Sequence, residues 1–204
     1  MTNWNKLKQY YGHLLADSQM YIKLAVRIFL IGFLMGLLAV LVNQQYILEI
    51  IRSGLASIDE LAETAVDLSY PEAALLIWQN NFLVVGMMIF LGFFLGYLPL
   101  VAAWSNGAVL GALCVIFTRE GLAKGVLFWL SVLPHGVIEI PAFLVAAAFG
   151  IKLGWAWLLP SAIGKRLKVL NQSVYDCLAI YAGVIVLLGL AALIEAALFI
   201  GLGL

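Results

Sequence analysis

Charge is what this chain lacks most. Only 11% of its 204 residues are Asp, Glu, Lys or Arg, against 65% hydrophobic residues and a mean hydropathy of +1.07. A soluble domain carries about 25% charged and about 45–50% apolar residues, so a water-soluble globular fold is excluded and an integral membrane protein is implied. The 11 basic residues only balance the 11 acidic ones. That leaves no cationic surplus of the kind nucleic acid attracts. Cysteine is nearly missing: Cys114 and Cys177 lie in apolar segments without metal-type spacing, so neither a disulfide nor a cysteine-held metal is expected. Histidine is as scarce, with only His13 and His135. Two histidines are too few for a usual zinc site, and the HExxH string is absent. So are GxSxG and any paired-acid motif. No enzymatic activity, metal or cofactor is therefore expected. Nor is a cleavable leader: the polar lead of residues 1–23 is long, the apolar run Leu24–Val42 exceeds a signal-peptide core, and no A-x-A-like site follows it.

The long apolar runs set the organisation. Leu24–Val42 is long enough to cross about 30 Å of hydrocarbon at about 1.5 Å per residue. Residues 82–117 contain no charge and suit two short spans, which Pro99 divides into 82–99 and 100–117. Further spans are expected over 126–149 and 177–200. The reading is an all-α, polytopic membrane protein of about five transmembrane helices forming a single domain over 1–204. Lys6, Lys8 and Lys23 in the lead, and Lys152, Lys165, Arg166 and Lys168 in 150–173, mark the cytoplasmic side. Trp155, Trp157, Leu158 and Leu159 suggest an interfacial segment there. Residues 43–81 hold Glu49, Asp59, Glu60, Glu63, Asp67 and Glu72 against the single basic Arg52, so this loop belongs outside. Ile47, Ile51, Leu55, Ile58, Leu61 and Ala65 recur at helical spacing and predict an amphipathic helix, either a lid or a docking surface. Ser57 with Glu60 reads as a capping box, and Tyr70-Pro71 as the point where one helix ends and another opens. An alternative topology makes 105–117 and 126–149 re-entrant.

Glycines four apart occur five times: Gly32/Gly36, Gly92/Gly96, Gly107/Gly111, Gly121/Gly125 and Gly150/Gly154. Such spacing lets helix backbones approach closely where lipid supplies no hydrophobic drive. Gly32/Gly36 and Gly92/Gly96 are read as packing faces. They suit contacts within the chain and also permit a homodimer.

Against this apolar background stands Leu133-Pro134-His135-Gly136-Val137-Ile138-Glu139-Ile140-Pro141-Ala142. A charged acid at a helix centre costs about 2.5–3.5 kcal/mol on insertion scales, so residues kept there have a use. Pro134 and Pro141 each remove a backbone donor, and a broken helix is expected between them. His135 and Glu139, four apart, share a helix face. Asn106-Gly107 resembles His135-Gly136, which places Asn106, His135 and Glu139 in one buried polar cluster. The cluster reads as a clamp on helix register or as part of an ion path. Glu195 and Arg27, near span ends, are read as snorkelling to water.

Taken with Trp104-Ser105-Asn106-Gly107-Ala108-Val109-Leu110-Gly111 and Ala147-Ala148-Phe149-Gly150-Ile151-Lys152-Leu153-Gly154, the chain resembles the stage II sporulation protein M family over roughly residues 20–200. The motif positions carried over are Asn106, Gly107, Pro134, His135, Gly136, Glu139 and Pro141. The resemblance implies a multi-pass protein of the bacterial inner (cytoplasmic) membrane with about five spans. Such proteins act in forespore engulfment and hold two cell-wall hydrolases, a lytic transglycosylase and an amidase, at the septal membrane without being hydrolases themselves. The expected role is thus a membrane scaffold in contact with lipid, docking partners through 43–81. The competing reading is a small transporter or channel built on the Asn106/His135/Glu139 cluster, with the broken helix lining a path.

Overall fold

A computed structural model describes residues 3–51, 53 and 68–202. Six α-helices carry the architecture: α1 (Asn3–Asp17), α2 (Gln19–Val42), α3 (Tyr70–Leu91), α4 (Tyr97–Arg119), α5 (Leu122–Trp155) and α6 (Arg166–Leu202). A helical segment over 44–51 and a 3-10 turn at Pro160–Ala162 complete the described residues. Five of these helices, α2 to α6, are long and apolar enough to cross a membrane. Helices are the expected solution there, because each satisfies its own backbone polar groups where water cannot.

The helices alternate in direction, and α5 stands at the centre in contact with α2, α3, α4 and α6. Its run Ala146-Ala147-Ala148-Phe149 is fully buried, and the three alanines let four neighbours come close at once. Two glycine crossings do the same elsewhere. Gly32 and Gly36 of α2 lie against the Trp104 and Ala108 carbonyls of α4, while Gly107 and Gly111 of α4 lie against the Phe29 and Phe33 carbonyls of α2. The matching increments make this pair parallel. Gly92 and Gly96 meet Gly150 and Gly154 of α5 in the second crossing. Both packing faces are thus used within the chain. Between α3 and α6, polar tips of aromatic side chains reach across to carbonyls. Tyr70 Oη donates to Leu193 O (3.1 Å), Trp78 Nε1 to Ile185 O (3.0 Å) and Tyr181 Oη to Phe82 O (2.9 Å).

The structure differs from the sequence-based expectations in several places. The reversal between the second and third spans lies at Gly92–Gly96, not at Pro99. Pro99 sits in the first turn of α4, where a missing N–H costs no helical bond. Gly96 supplies the left-handed residue of the turn (φ 65°), and Leu95 joins it at φ 56°. The Trp155 indole N–H donates to Leu95 O at 2.6 Å and holds the turn on the end of α5. A left-handed non-glycine residue costs about 1–2 kcal/mol. Leu95→Gly is therefore expected to raise thermal stability by roughly 1 kcal/mol, since Leu95 is exposed and loses little packing. A lowered melting temperature in detergent would contradict this.

The broken helix expected at Pro134–Pro141 is not broken. α5 is one helix of 34 residues with both prolines inside it. Seven residues apart, the prolines lie on one exposed side, so the bonds denied to Leu130 O and Val137 O fall two turns apart and the rest of the ladder carries the helix through. α4 and α5 are each continuous helices long and apolar enough to span, as the crossing topology for 105–117 and 126–149 requires. The last helix extends beyond the expected span 177–200, beginning at Arg166. α1 is not a free polar lead: Tyr11 Oη donates to Ala179 O (3.0 Å), tying it to α6.

Beyond α2, Asn43 Oδ1 accepts the Tyr46 N–H (3.1 Å) and starts the helical stretch 44–51. Ile47, Leu48 and Ile51 then pack on Val40, Ala112 and Ile116. The proposed continuation through Leu55, Ile58, Leu61 and Ala65, and the Ser57/Glu60 capping box, fall outside the described residues. α3 opens where Tyr70-Pro71 predicts, with Ser69 N–H donating to the Glu72 carboxylate at 3.0 Å.

Candidate functional site

Two polar centres interrupt the apolar bundle. The first is built on α5. Its helical spacing puts His135 and Glu139 on one face, and α6 brings Glu195 beside them. A ring nitrogen of His135 and one carboxylate oxygen from each glutamate all lie within 4.8 Å of one another. All three residues are half-buried. His135 Nδ1 is shielded from solvent and has no hydrogen-bond partner. Among the described residues, no lysine or arginine forms an ion pair with either glutamate.

A cavity of about 320 Å³ borders this group, lined by Asn106, His135, Gly136 and Glu139 together with Phe29 and Phe143. Asn106 thus borders the same space as His135 and Glu139, but it is exposed rather than part of a buried cluster, and its amide donates to Ala102 O at 2.9 Å within its own helix. The other motif residues are placed differently. Gly107 belongs to the α2–α4 crossing. Pro141 lines an apolar groove on another side of α5 with Val137, Tyr11 and Val184. Pro134 is exposed. Glu195 was read as a snorkelling residue near a span end. The structure instead brings its carboxylate beside His135 and Glu139, between α5 and α6. No spacing pattern could have paired residues on two separate helices.

The second centre lies at the bundle end that carries the basic residues. Lys152 Nζ contacts Asp176 Oδ2 at 2.7 Å, with side chains 12% and 7% exposed. Lys152 also donates to Ser18 Oγ (2.9 Å), and Gln172 Nε2 donates to Asp176 Oδ1 (2.8 Å). The ammonium sits 5.2 Å from the centre of the Phe149 ring. A cavity of about 520 Å³ opens beside the pair, lined by Tyr10, His13, Asp17, Lys165 and Lys168 among others. The sequence reading used Lys152 only as a marker of sidedness. Its buried partner escaped notice because Asp176 sits just before an apolar run, where a charge reads as a span boundary. Both cysteines are free; the Cys177 thiol donates to Phe149 O at 3.3 Å.

The chemistry on offer differs between the two. The ion pair is internally neutral and hydrogen-bonded, as a structural node requires. The His135/Glu139/Glu195 group is not: it gathers two acids and an imidazole with an unpaired nitrogen next to an open space.

A family model described as Stage II sporulation protein M matches residues 25–198, most of the chain. No curated protein and no solved structure matches it.

Proposed function

The chain belongs to the stage II sporulation protein M family, and from that premise we propose that it is a non-enzymatic scaffold of the bacterial inner membrane that holds peptidoglycan-degrading partners at its outer face. The observation that carries this reading is the mounting of the acidic segment. At one end, helical residues 44–51 pack on α2 and α4 and follow the Asn43 cap. At the other, Ser69 and Glu72 close the start of α3, and Tyr70 is tied to α6. Residues 52–68 therefore leave from and return to fixed structure. Arg119 strengthens the first anchor, donating to Gln44 Oε1 at 3.2 Å and to Val40 O at 3.5 Å.

The basic ends of α5 and α6 support a cytoplasmic location for that side and for the N-terminus. The acidic segment then faces the cell wall. Between the anchors, Asp59, Glu60, Glu63 and Asp67 stand against the single Arg52, which suits partners with a basic docking face. A lytic transglycosylase and an amidase are the partner classes that the family resemblance implies. The transporter reading loses the broken helix on which it drew, because α5 is continuous.

The test is cross-linked pull-down from the native membrane with mass spectrometry. Cell-wall hydrolases are expected to co-purify with the parent. The combined variant Asp59→Asn, Glu60→Gln, Glu63→Gln, Asp67→Asn is expected to reduce their recovery several-fold. Four charge contacts at about 0.2–1 kcal/mol each come to at least a several-fold change in affinity. Unchanged recovery from the variant, or no hydrolase with the parent, would refute the docking role.

A further inference from the structure

We propose that His135, Glu139 and Glu195 bind one divalent transition-metal ion, best matched by Zn²⁺, which ties α5 to α6 inside the bundle. Four observations converge on it. The three donor atoms already lie within 4.8 Å of one another. Donors around a tetrahedral zinc stand about 3.3 Å apart, given bond lengths of about 2.0–2.2 Å. Small torsions of the two flexible glutamates close that gap. The donors come from two helices, so binding fixes how α6 sits against α5.

Charge is the second observation. Two carboxylates share a half-buried position, and no lysine or arginine among the described residues pairs with them. Side by side they repel, and burial in apolar surroundings makes that repulsion costly. A dication neutralises both at once. The third is His135 itself, whose Nδ1 has neither solvent nor partner. Buried nitrogens are rarely left so, and a bound ligand is one of the accepted reasons. The fourth is space. Three protein donors leave one position of a tetrahedral ion free, and the cavity of about 320 Å³ borders His135 and Glu139. It has room for the water that would take that position, at about 30 Å³ per molecule.

The donor set selects the ion. An imidazole with two carboxylates suits zinc and its first-row neighbours, whereas calcium and magnesium sites are built from oxygen alone. Thiolate-selecting ions are not served, because Cys114 and Cys177 are not part of the group. Counting histidines argued against zinc. The third donor is an acid from another helix, which that count does not include.

The experiment uses the full-length protein in detergent, stripped with a chelator and titrated with zinc chloride by calorimetry, with metal content measured after dialysis. One zinc per chain is expected, with excess magnesium failing to displace it. Glu195→Gln and Glu139→Gln are each expected to weaken binding by at least about tenfold, the scale at which even outer-shell changes act. His13→Ala, at the other polar centre, is expected to leave uptake unchanged. Substoichiometric uptake, or uptake indifferent to Glu195→Gln, overturns the proposal. X-ray absorption of the zinc-loaded parent needs no variant to fold: one imidazole with oxygen donors is expected, and a sulfur-containing or imidazole-free shell overturns it.

Discussion

Gly36→Leu is expected to lower the melting temperature of the protein in detergent by about 6–12 °C, or to prevent its recovery as a monodisperse species. A Cβ at Gly36 would fall on the Ala108 carbonyl oxygen of α4, and one at Gly32 on that of Trp104. These are backbone atoms, so no rotamer change makes room; the two helix axes have to separate. The reciprocal contacts of Gly107 and Gly111 with Phe29 and Phe33 of α2 would be lost in the same movement. Dispersion at about 0.1–0.2 kcal/mol per atom pair falls off steeply with separation, and lipid gives the pair no hydrophobic drive to compensate. Overpacking costs typically about 1–3 kcal/mol, and the upper end of that range gives the shift quoted for a chain of this size. Gly12→Ala is the internal control. A Cβ there meets nothing within 4 Å, and α1 gains helix propensity of about 1 kcal/mol or less. The two substitutions are thus expected to move the melting temperature in opposite directions. A Gly36→Leu protein as stable as the parent would mean that α2 and α4 do not touch at their backbones.

The Gly32/Gly36 face of that crossing was legible in the sequence, while its partner helix was not. A glycine pair four apart encodes a face, and the demand for close approach is local to each helix. The same holds for the start of α3, which Tyr70-Pro71 marks within one turn, although the capping box there is Ser69 with Glu72, which the sequence reading did not single out. What failed was reading consequences beyond the local. Pro99 suggested a break because proline lacks a donor, yet a break needs that donor to be missed, and in the first turn of α4 it is not. Pro134 and Pro141 suggested another, yet their lost bonds lie on one side of α5 and the helix continues.

The candidate site divides along the same line. His135 and Glu139 were legible because residues four apart on one helix are neighbours by geometry alone. Asn106 was placed with them by analogy of its flanking glycine, and it does line the same cavity. Glu195 and the Lys152–Asp176 pair were not found. Each depends on how far one helix slides and rotates against another, and apolar sequence leaves that undetermined. The common signal, visible only afterwards, is cost: ionisable residues in or beside spans persist where something neutralises them.

That cost makes the Lys152–Asp176 pair the second place where a single substitution should act strongly. Lys152→Met is expected to destabilise the protein by about 3–5 kcal/mol, because it strands a buried carboxylate rather than merely deleting an attraction. The exposures of 12% and 7% leave little water to screen that carboxylate. Asp176→Leu should do comparable harm by stranding the ammonium, which retains only Ser18 Oγ and the Phe149 ring. The double variant Lys152→Met/Asp176→Leu removes both charges, and replacing a buried pair by apolar side chains is often neutral or stabilising by about 1–4 kcal/mol. It is therefore expected to recover most of the loss in either single variant, giving a large coupling energy in a double-mutant cycle read by thermal unfolding in detergent. Recovery would identify mutual neutralisation as what the pair contributes. A double variant as unstable as the singles would shift the weight to the hydrogen bond that Lys152 donates to Ser18 and the one that Asp176 accepts from Gln172. Ser18 joins α1 to α2, so those bonds tie that junction to α5 and α6, and the pair would then act as a geometric knot at the basic end of the bundle.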